Sequence, residues 1–100
     1  CLQCNLSGSA YVVSKENPIE NFPGGILVME HAQSDIVLFA RKAIAIVTDE
    51  GGATSHAAVI SREFRIPGVV GTHDATKRIR HGQVIALYTE GEKGIVKLGD

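Results

Sequence analysis

The chain has 100 residues, a formal net charge of −1 and 44% hydrophobic residues. A chain of this length buries roughly 65% of its unfolded surface, which suffices for one core, so we expect one small soluble domain. Its apolar runs are shorter than the roughly 20 residues that span a membrane, and its interspersed charges argue against non-specific binding to nucleic acid or membranes. Length also excludes a large enzyme with its own nucleotide-binding domain.

The two cysteines, Cys1 and Cys4, form a single C-x-x-C motif. A structural zinc site needs two more ligands, and a redox dithiol normally follows a strand and opens a helix. We therefore interpret both as reduced thiols on a linker stub over residues 1–7, followed by a domain over residues 8–100. Two cysteines without a signal peptide favour a cytoplasmic location. The competing hypothesis, a metal or redox protein that uses this pair, predicts stoichiometric zinc.

The first half of the chain predicts three strands, a loop and a helix. Ala10–Ser14 is a β-branched and aromatic run typical of a strand, and the proline-bearing segment Lys15–Gly25 predicts a loop. Ile26–Glu30 is a compact buried strand. Apolar residues at helical spacing then predict a helix over residues 35–43. Ala43–Val47 is too continuously apolar to alternate, as expected for a strand covered on both faces.

The second half continues this partial alternation of strands and helices. A polar loop is predicted over Thr48–Thr54, a helix over Ser55–Phe64 and a short strand over Gly68–Gly71. One or two helical turns follow over Asp74–Ile79. The last predicted elements are the two strands of a hairpin, Gln83–Tyr88 and Gly94–Leu98. Pro67 disfavours helical angles at the residue before it and so ends the helix. The pattern predicts the α/β class, a single domain with a mixed sheet and two main helices.

The loop before the second predicted helix carries the strongest functional signal. A buried strand ends, Gly51 and Gly52 turn the chain, Thr54 and Ser55 stand at capping positions, and His56 follows in the first helical turn. Ligands bind at such strand-to-helix junctions of α/β sheets. The unpaired first-turn amides and the positive end of the helix dipole favour anions, above all phosphate. The two glycines allow the backbone to approach an anion closely.

A histidine in this place favours phosphoryl transfer. A neutral imidazole attacks a phosphoryl donor, and the helix end then stabilises the attached negative group. Thr54 would orient one ring nitrogen of His56, and Ser55 would donate to the phosphoryl oxygens or cap the helix. Ser55 and His56 point about 100° apart on a helix and therefore do not form a nucleophile–base pair. The alternative is that His56 is an ordinary capping or surface residue.

The run TDEGGATSHAAVISREFRIPGVVGT (Thr48–Thr72) closely resembles the swivelling phosphohistidine domain of the phosphoenolpyruvate-utilising enzymes. That family includes phosphoenolpyruvate synthase, pyruvate phosphate dikinase and enzyme I of the sugar phosphotransferase system. The resemblance implies the β/β/α swivelling-domain fold. It also implies that His56 is the phosphorylated residue, that Thr54 is its hydrogen-bonding neighbour, and that Gly51 and Gly52 belong to the phosphate-binding loop.

The resemblance implies a phosphoryl-carrier domain, which is part of a phosphotransferase and not a complete enzyme. Its histidine takes a phosphoryl group from an ATP- or phosphoenolpyruvate-linked site and delivers it to a second site. Magnesium and ATP or phosphoenolpyruvate are expected on partner domains that bind ATP or phosphoenolpyruvate and pyruvate, with no metal or cofactor in this domain. The alternative is a binding or regulatory module that keeps the fold without phosphotransfer. The family often has Arg or Met where this chain has Ala53, so a side chain that would contact a phosphoryl group or a neighbouring domain is absent here.

Two carboxylates, Asp49 and Glu50, precede the glycine pair. They would repel a phosphoryl dianion, so we expect them to point away from it or to bond loop amides. The other three histidines, His31, His73 and His81, share no metal-ligand spacing and are expected at the surface.

Overall fold

The computed structural model describes residues 5–52, 55–90 and 93–99. Within these ranges the strands are β1 (Asn5–Val12), β2 (Gly25–Met29), β3 (Ala43–Thr48), β4 (Gly68–Val69), β5 (Val84–Glu90) and β6 (Lys93–Leu98). The α-helices there are α1 (Val37–Ala40), α2 (His56–Glu63) and α3 (Ala75–Arg78), with 3-10 turns at Ile19–Asn21 and Ser34–Ile36. No helix among the described residues has the length and apolarity needed to cross a membrane.

The strands form one mixed sheet in the order β4-β3-β2-β1-β5-β6. The pairs β1–β2, β2–β3 and β3–β4 are parallel, whereas β5 pairs antiparallel with both β1 and β6. The register places Val28 opposite Val47 and Met29 opposite Thr48, so the carboxyl ends of β2 and β3 lie side by side. This arrangement confirms the predicted α/β class, mixed sheet and terminal hairpin.

Both faces of the parallel half are covered. In β2, Ile26 and Val28 join an apolar cluster on the face that α3 covers, while Leu27 and Met29 join a second cluster on the face of α1 and α2. All four side chains are buried, because alternate residues of a strand point to opposite faces. In β3, Ala45 and Val47 join the first cluster and Ala43 and Ile46 the second, so this continuous apolar run has the cause that the sequence predicts, a strand between two layers.

Two elements differ from the sequence-based expectation. The first strand begins at Asn5 instead of Ala10, because residues 5–9 pair with residues 84–88 of β5. The expected linker over residues 1–7 stays a prediction; residues 5–7 lie in β1, and residues 1–4, including both cysteines, lie outside the described residues.

The helix predicted over residues 35–43 is also different. It is a 3-10 turn followed by the single turn α1, in which Ile36 and Ala40 are buried while Val37 and Leu38 are exposed. Instead of two main helices, the described residues therefore contain one helix of eight residues, α2, and two of four residues.

Helix α2 packs closely against the strand that follows it. Ala57 and Ile60 point into the core, with Phe64 packed against the same cluster. Ser61 is buried and faces Gly68 of β4, where an added Cβ would lie 2.5 Å from the Ser61 hydroxyl oxygen. This contact fixes the helix on the sheet and sets its N-terminus at the edge where the parallel strands end.

Candidate functional site

The polypeptide that leaves β3 is held from both sides. The Asp49 amide donates to the Met29 carbonyl (3.1 Å), and the Glu50 amide donates to the Glu30 carbonyl (2.9 Å). On the other side the His73 amide donates to the Asp49 carbonyl at 2.8 Å. The start of the loop thus continues the sheet by two residues beyond β3 and is fixed before it turns.

The turn itself requires glycine at one position. Gly51 has a φ of +126°, and a Cβ there would lie 2.8 Å from the Ser55 hydroxyl oxygen. At Gly52 an added Cβ would meet nothing within 4 Å. The sequence analysis assigned both glycines the same role, whereas the backbone geometry requires glycine only at Gly51. That either glycine contacts phosphate stays a prediction.

Ser55 is the N-cap of α2, as the sequence predicts. Its backbone is extended (φ −66°, ψ 157°), and its hydroxyl oxygen accepts a hydrogen bond from the Ala58 amide at 3.2 Å. Its carbonyl accepts from the Val59 amide at 3.0 Å. Among the described residues none accepts from the amides of His56 and Ala57, the first two residues of the helix. Ala53 and Thr54 lie outside the described residues.

His56 is the first residue of α2 and is exposed. It lines a shallow depression of about 250 Å³ at the end of the parallel strands. The residues around this depression are His31, Ala32, Glu50, Gly51, Ser55, His56 and Ala57. The structure therefore brings together Gly51, Ser55 and His56, three of the predicted site residues, and leaves the imidazole open to a partner.

The two carboxylates before the glycine pair behave differently. Asp49 is buried, and its carboxylate accepts from the Thr76 amide (2.9 Å) and hydroxyl (2.5 Å) at the start of α3. The Asp49 carboxylate thus accepts a backbone amide and does not line the depression, as expected. The Glu50 carboxylate instead lies 3.5 Å from Nδ1 of His31, on the lining of the depression that contains His56.

Sequence reasoning missed the approach of His31 to this site. His31 follows β2 by two residues and Glu50 follows β3 by two, so the parallel pairing of these strands sets them side by side. That adjacency of strand ends is the signal from which the pair could have been predicted. His31, His73 and His81 are all exposed, as predicted, although Nδ1 of His81 accepts from the Val12 amide at 3.2 Å.

Among the described residues no group of three His, Cys, Asp or Glu side chains is arranged to hold a metal ion. The ionisable groups that line the depression are His31, Glu50 and His56. The chemistry available there is thus one exposed imidazole at a helix N-terminus, a capping hydroxyl and an adjacent imidazole–carboxylate pair.

A family model described as "PEP-utilising enzyme, mobile domain" matches residues 21–91. The probable phosphoenolpyruvate synthase of Archaeoglobus fulgidus is 47% identical over 94 residues, which cover 93% of this chain and 12% of that protein. The phosphoenolpyruvate synthase of Escherichia coli is 45% identical over 85 residues, covering 84% and 10%. The chain thus spans about a tenth of the length of these curated relatives.

Among solved structures, an NMR solution structure of Enzyme I (nEIt) matches with a TM-score of 0.64. The match covers 81% of this chain and 33% of that one at 24% sequence identity. At that identity the likeness bears on the fold alone, and it confirms the swivelling-domain fold that the sequence predicts.

Proposed function

The chain belongs to the mobile-domain family of PEP-utilising enzymes, and from that premise we propose that it is a phosphoryl carrier whose His56 accepts a phosphoryl group and passes it on. The observation that supports this role is the exposed His56 imidazole at the capped N-terminus of α2, beside the Gly51 turn. A carrier residue has to reach two other active sites, so an exposed position on a fixed helix suits it.

In the proposed reaction the lone pair of the His56 Nε2 atom forms a bond to phosphorus. The bond between phosphorus and the donor's leaving group breaks, and the leaving group departs with its electron pair while the imidazole releases a proton to solvent. In transfer to the acceptor, an acceptor atom forms a bond to phosphorus, the bond between phosphorus and Nε2 breaks, and the imidazole recovers a proton. Phosphoryl transfer depends largely on positioning and on stabilising charge.

The first turn of α2 provides that stabilisation in the proposal. The first-turn amides of His56 and Ala57 would be donors for phosphoryl oxygens, and the helix dipole favours the negative group by about 0.3–1 kcal/mol at an exposed site. Ser55 accepts from Ala58, so its own hydroxyl proton stays available to a phosphoryl oxygen. Thr54, expected to hydrogen-bond the imidazole, keeps that role as a prediction.

The donor and acceptor sites are proposed to lie on other domains or partner chains. Relatives named phosphoenolpyruvate synthase favour phosphoenolpyruvate as a small molecule at one of those sites. ATP, pyruvate and magnesium at the partner sites stay predictions. The described residues of this chain supply the carrier and no ligand cluster for a metal. The protein of which the chain is a part would accordingly be a transferase, and the cytoplasmic location stays a prediction.

Phosphate labelling tests the carrier function. The protein encoded by the full reading frame that contains this chain is incubated with labelled phosphoenolpyruvate, and separately with ATP labelled at the β or the γ phosphate. We expect acid-labile, alkali-stable label on His56, its loss in His56→Ala, and its retention in the control His73→Asn. Full labelling of His56→Ala would refute the role of His56. No labelling from any donor, together with tight partner binding, would favour the non-catalytic binding module.

A further inference from the structure

A second histidine shares the depression with the proposed phosphoryl acceptor. Nδ1 of His31 lies 3.5 Å from the Glu50 carboxylate, and both side chains line the depression with His56. The Glu50 amide donates to the Glu30 carbonyl at 2.9 Å, which fixes the two strand ends side by side. The pair is therefore placed by the sheet register and not by a flexible loop.

This arrangement poses an electrostatic question for a phosphoryl carrier. The Glu50 carboxylate lines the same depression as His56, on which a phosphoryl dianion would form, and like charges that share one depression repel. Of the described residues that line the depression, only His31 and His56 can carry a positive charge. When His56 is phosphorylated, His31 is the cation that remains to offset both anions.

We propose that His31, oriented by Glu50, donates a hydrogen bond to a phosphoryl oxygen on His56 and so prolongs the life of the phosphorylated form. The inference rests on the carrier function proposed above. Because Nδ1 faces the carboxylate, Nε2 is the donor left for the phosphoryl group, and both ring nitrogens donate only in the imidazolium. The proton comes from solvent, and no covalent bond to His31 forms or breaks.

The size of the effect follows from exposure. The side chains of His31 and Glu50 are 53% and 71% exposed, so water screens their charges and each contact is weak. We expect His31→Gln to speed the loss of phosphate from His56 by about threefold, in keeping with the weakness of an exposed contact.

Glu50 provides a sharper test, since the effect of Glu50→Gln on the lifetime of phosphorylated His56 should have opposite signs with and without His31. With His31 present, Glu50 orients the imidazole, and Glu50→Gln should shorten the life of the phosphorylated form. In the His31→Gln background Glu50 only repels the dianion, and Glu50→Gln should lengthen it. A purely structural role of the pair predicts the same sign in both backgrounds.

The experiment phosphorylates the full-length protein with phosphoramidate and follows phosphate on His56 by mass spectrometry after the donor is removed. In this step the His56 Nε2 lone pair attacks phosphorus, the P–N bond of phosphoramidate breaks, and ammonia leaves. The variants are His31→Gln, Glu50→Gln and their combination. His31→Lys should restore part of the lifetime by supplying a cation, and His73→Asn and Glu63→Gln are the matched controls outside the depression.

Circular dichroism melts of each variant establish that it is folded before rates are compared. Phosphate loss that is unchanged in His31→Gln, or a Glu50→Gln effect of one sign in both backgrounds, would overturn the inference and leave the carrier function standing. Absence of phosphate on His56 from phosphoramidate and from the natural donors would overturn both.

Discussion

The two adjacent glycines of the site loop are expected to respond very differently to the same substitution. Gly51 has a φ of +126°, and an added Cβ would lie 2.8 Å from the Ser55 hydroxyl oxygen and 3.2 Å from Cβ of Val70. At Gly52 the φ is outside the left-handed region and an added Cβ has open space. Gly51→Ala and Gly52→Ala thus form a matched pair within one loop.

The magnitude follows from two contributions. Holding a residue with a side chain at the Gly51 dihedral angle costs about 1–3 kcal/mol. Relieving the contact moves Ser55, and losing its N-cap bond to Ala58 costs about 1 kcal/mol more. We expect Gly51→Ala to lower the free energy of unfolding by about 2–4 kcal/mol, which corresponds to a fall in Tm of about 10–25 °C for a domain of this size.

Urea and thermal unfolding of the two variants, followed by circular dichroism, measure this difference. Gly52→Ala should lie within about 0.5 kcal/mol of the parent, because its only systematic effect is a small loss of unfolded-chain entropy. Equal destabilisation by the two substitutions, or a cost below about 1 kcal/mol for Gly51→Ala, would refute the claim that the turn requires glycine at position 51.

Two further predictions concern the core and alkaline pH. Leu27 is fully buried whereas Leu38 is 75% exposed. In urea unfolding, Leu27→Ala should therefore lower the free energy of unfolding by about 3 kcal/mol and Leu38→Ala by less than about 0.5 kcal/mol. Similar losses in the two variants would contradict the assignment of Leu27 to the core between the layers. Burial, and secondarily the charge of Glu20, raises the pKa of the Tyr11 phenol above its ordinary value. The protonated Tyr11 phenol therefore contributes to stability below about pH 10, and this contribution is lost as pH rises through the folded-state pKa. Tyr11→Phe should flatten the fall in unfolding free energy between about pH 9 and about pH 11. Identical slopes of unfolding free energy against pH in the parent and the variant would exclude Tyr11 as the cause.

The sequence predicted most accurately the elements whose pattern is local. The apolar run of β3 predicted cover on both faces and that of β2 a buried strand, and the structure has both. Ser55 followed by an amphipathic run predicted the start of α2, because an N-cap is a local hydrogen bond between neighbours in the chain. The family resemblance then singled out His56, which spacing alone did not distinguish from a surface histidine.

The features that sequence reasoning missed depend on contacts between distant residues. Residues 5–9 are too polar and small to resemble a strand, and they become one because β5 supplies their hydrogen-bond partners. The apolar run after Ser34 resembles a longer helix, yet too few of its side chains find a face to pack against. The His31–Glu50 pair has no local signature, since it arises from the register of β2 and β3.

The central place of β1 in the sheet has a consequence for biosynthesis. One edge of β1 pairs with β2, which leaves the ribosome soon after it, but the other edge waits for β5, which pairs Asn5 with Tyr88. Until then β1 presents an unpaired edge of the kind that recruits strands from other chains. Pairings this distant in sequence also form slowly. A chain cut short before residue 84 is therefore expected to aggregate instead of forming a smaller domain, and the mobile unit becomes usable only after its last hairpin has been translated.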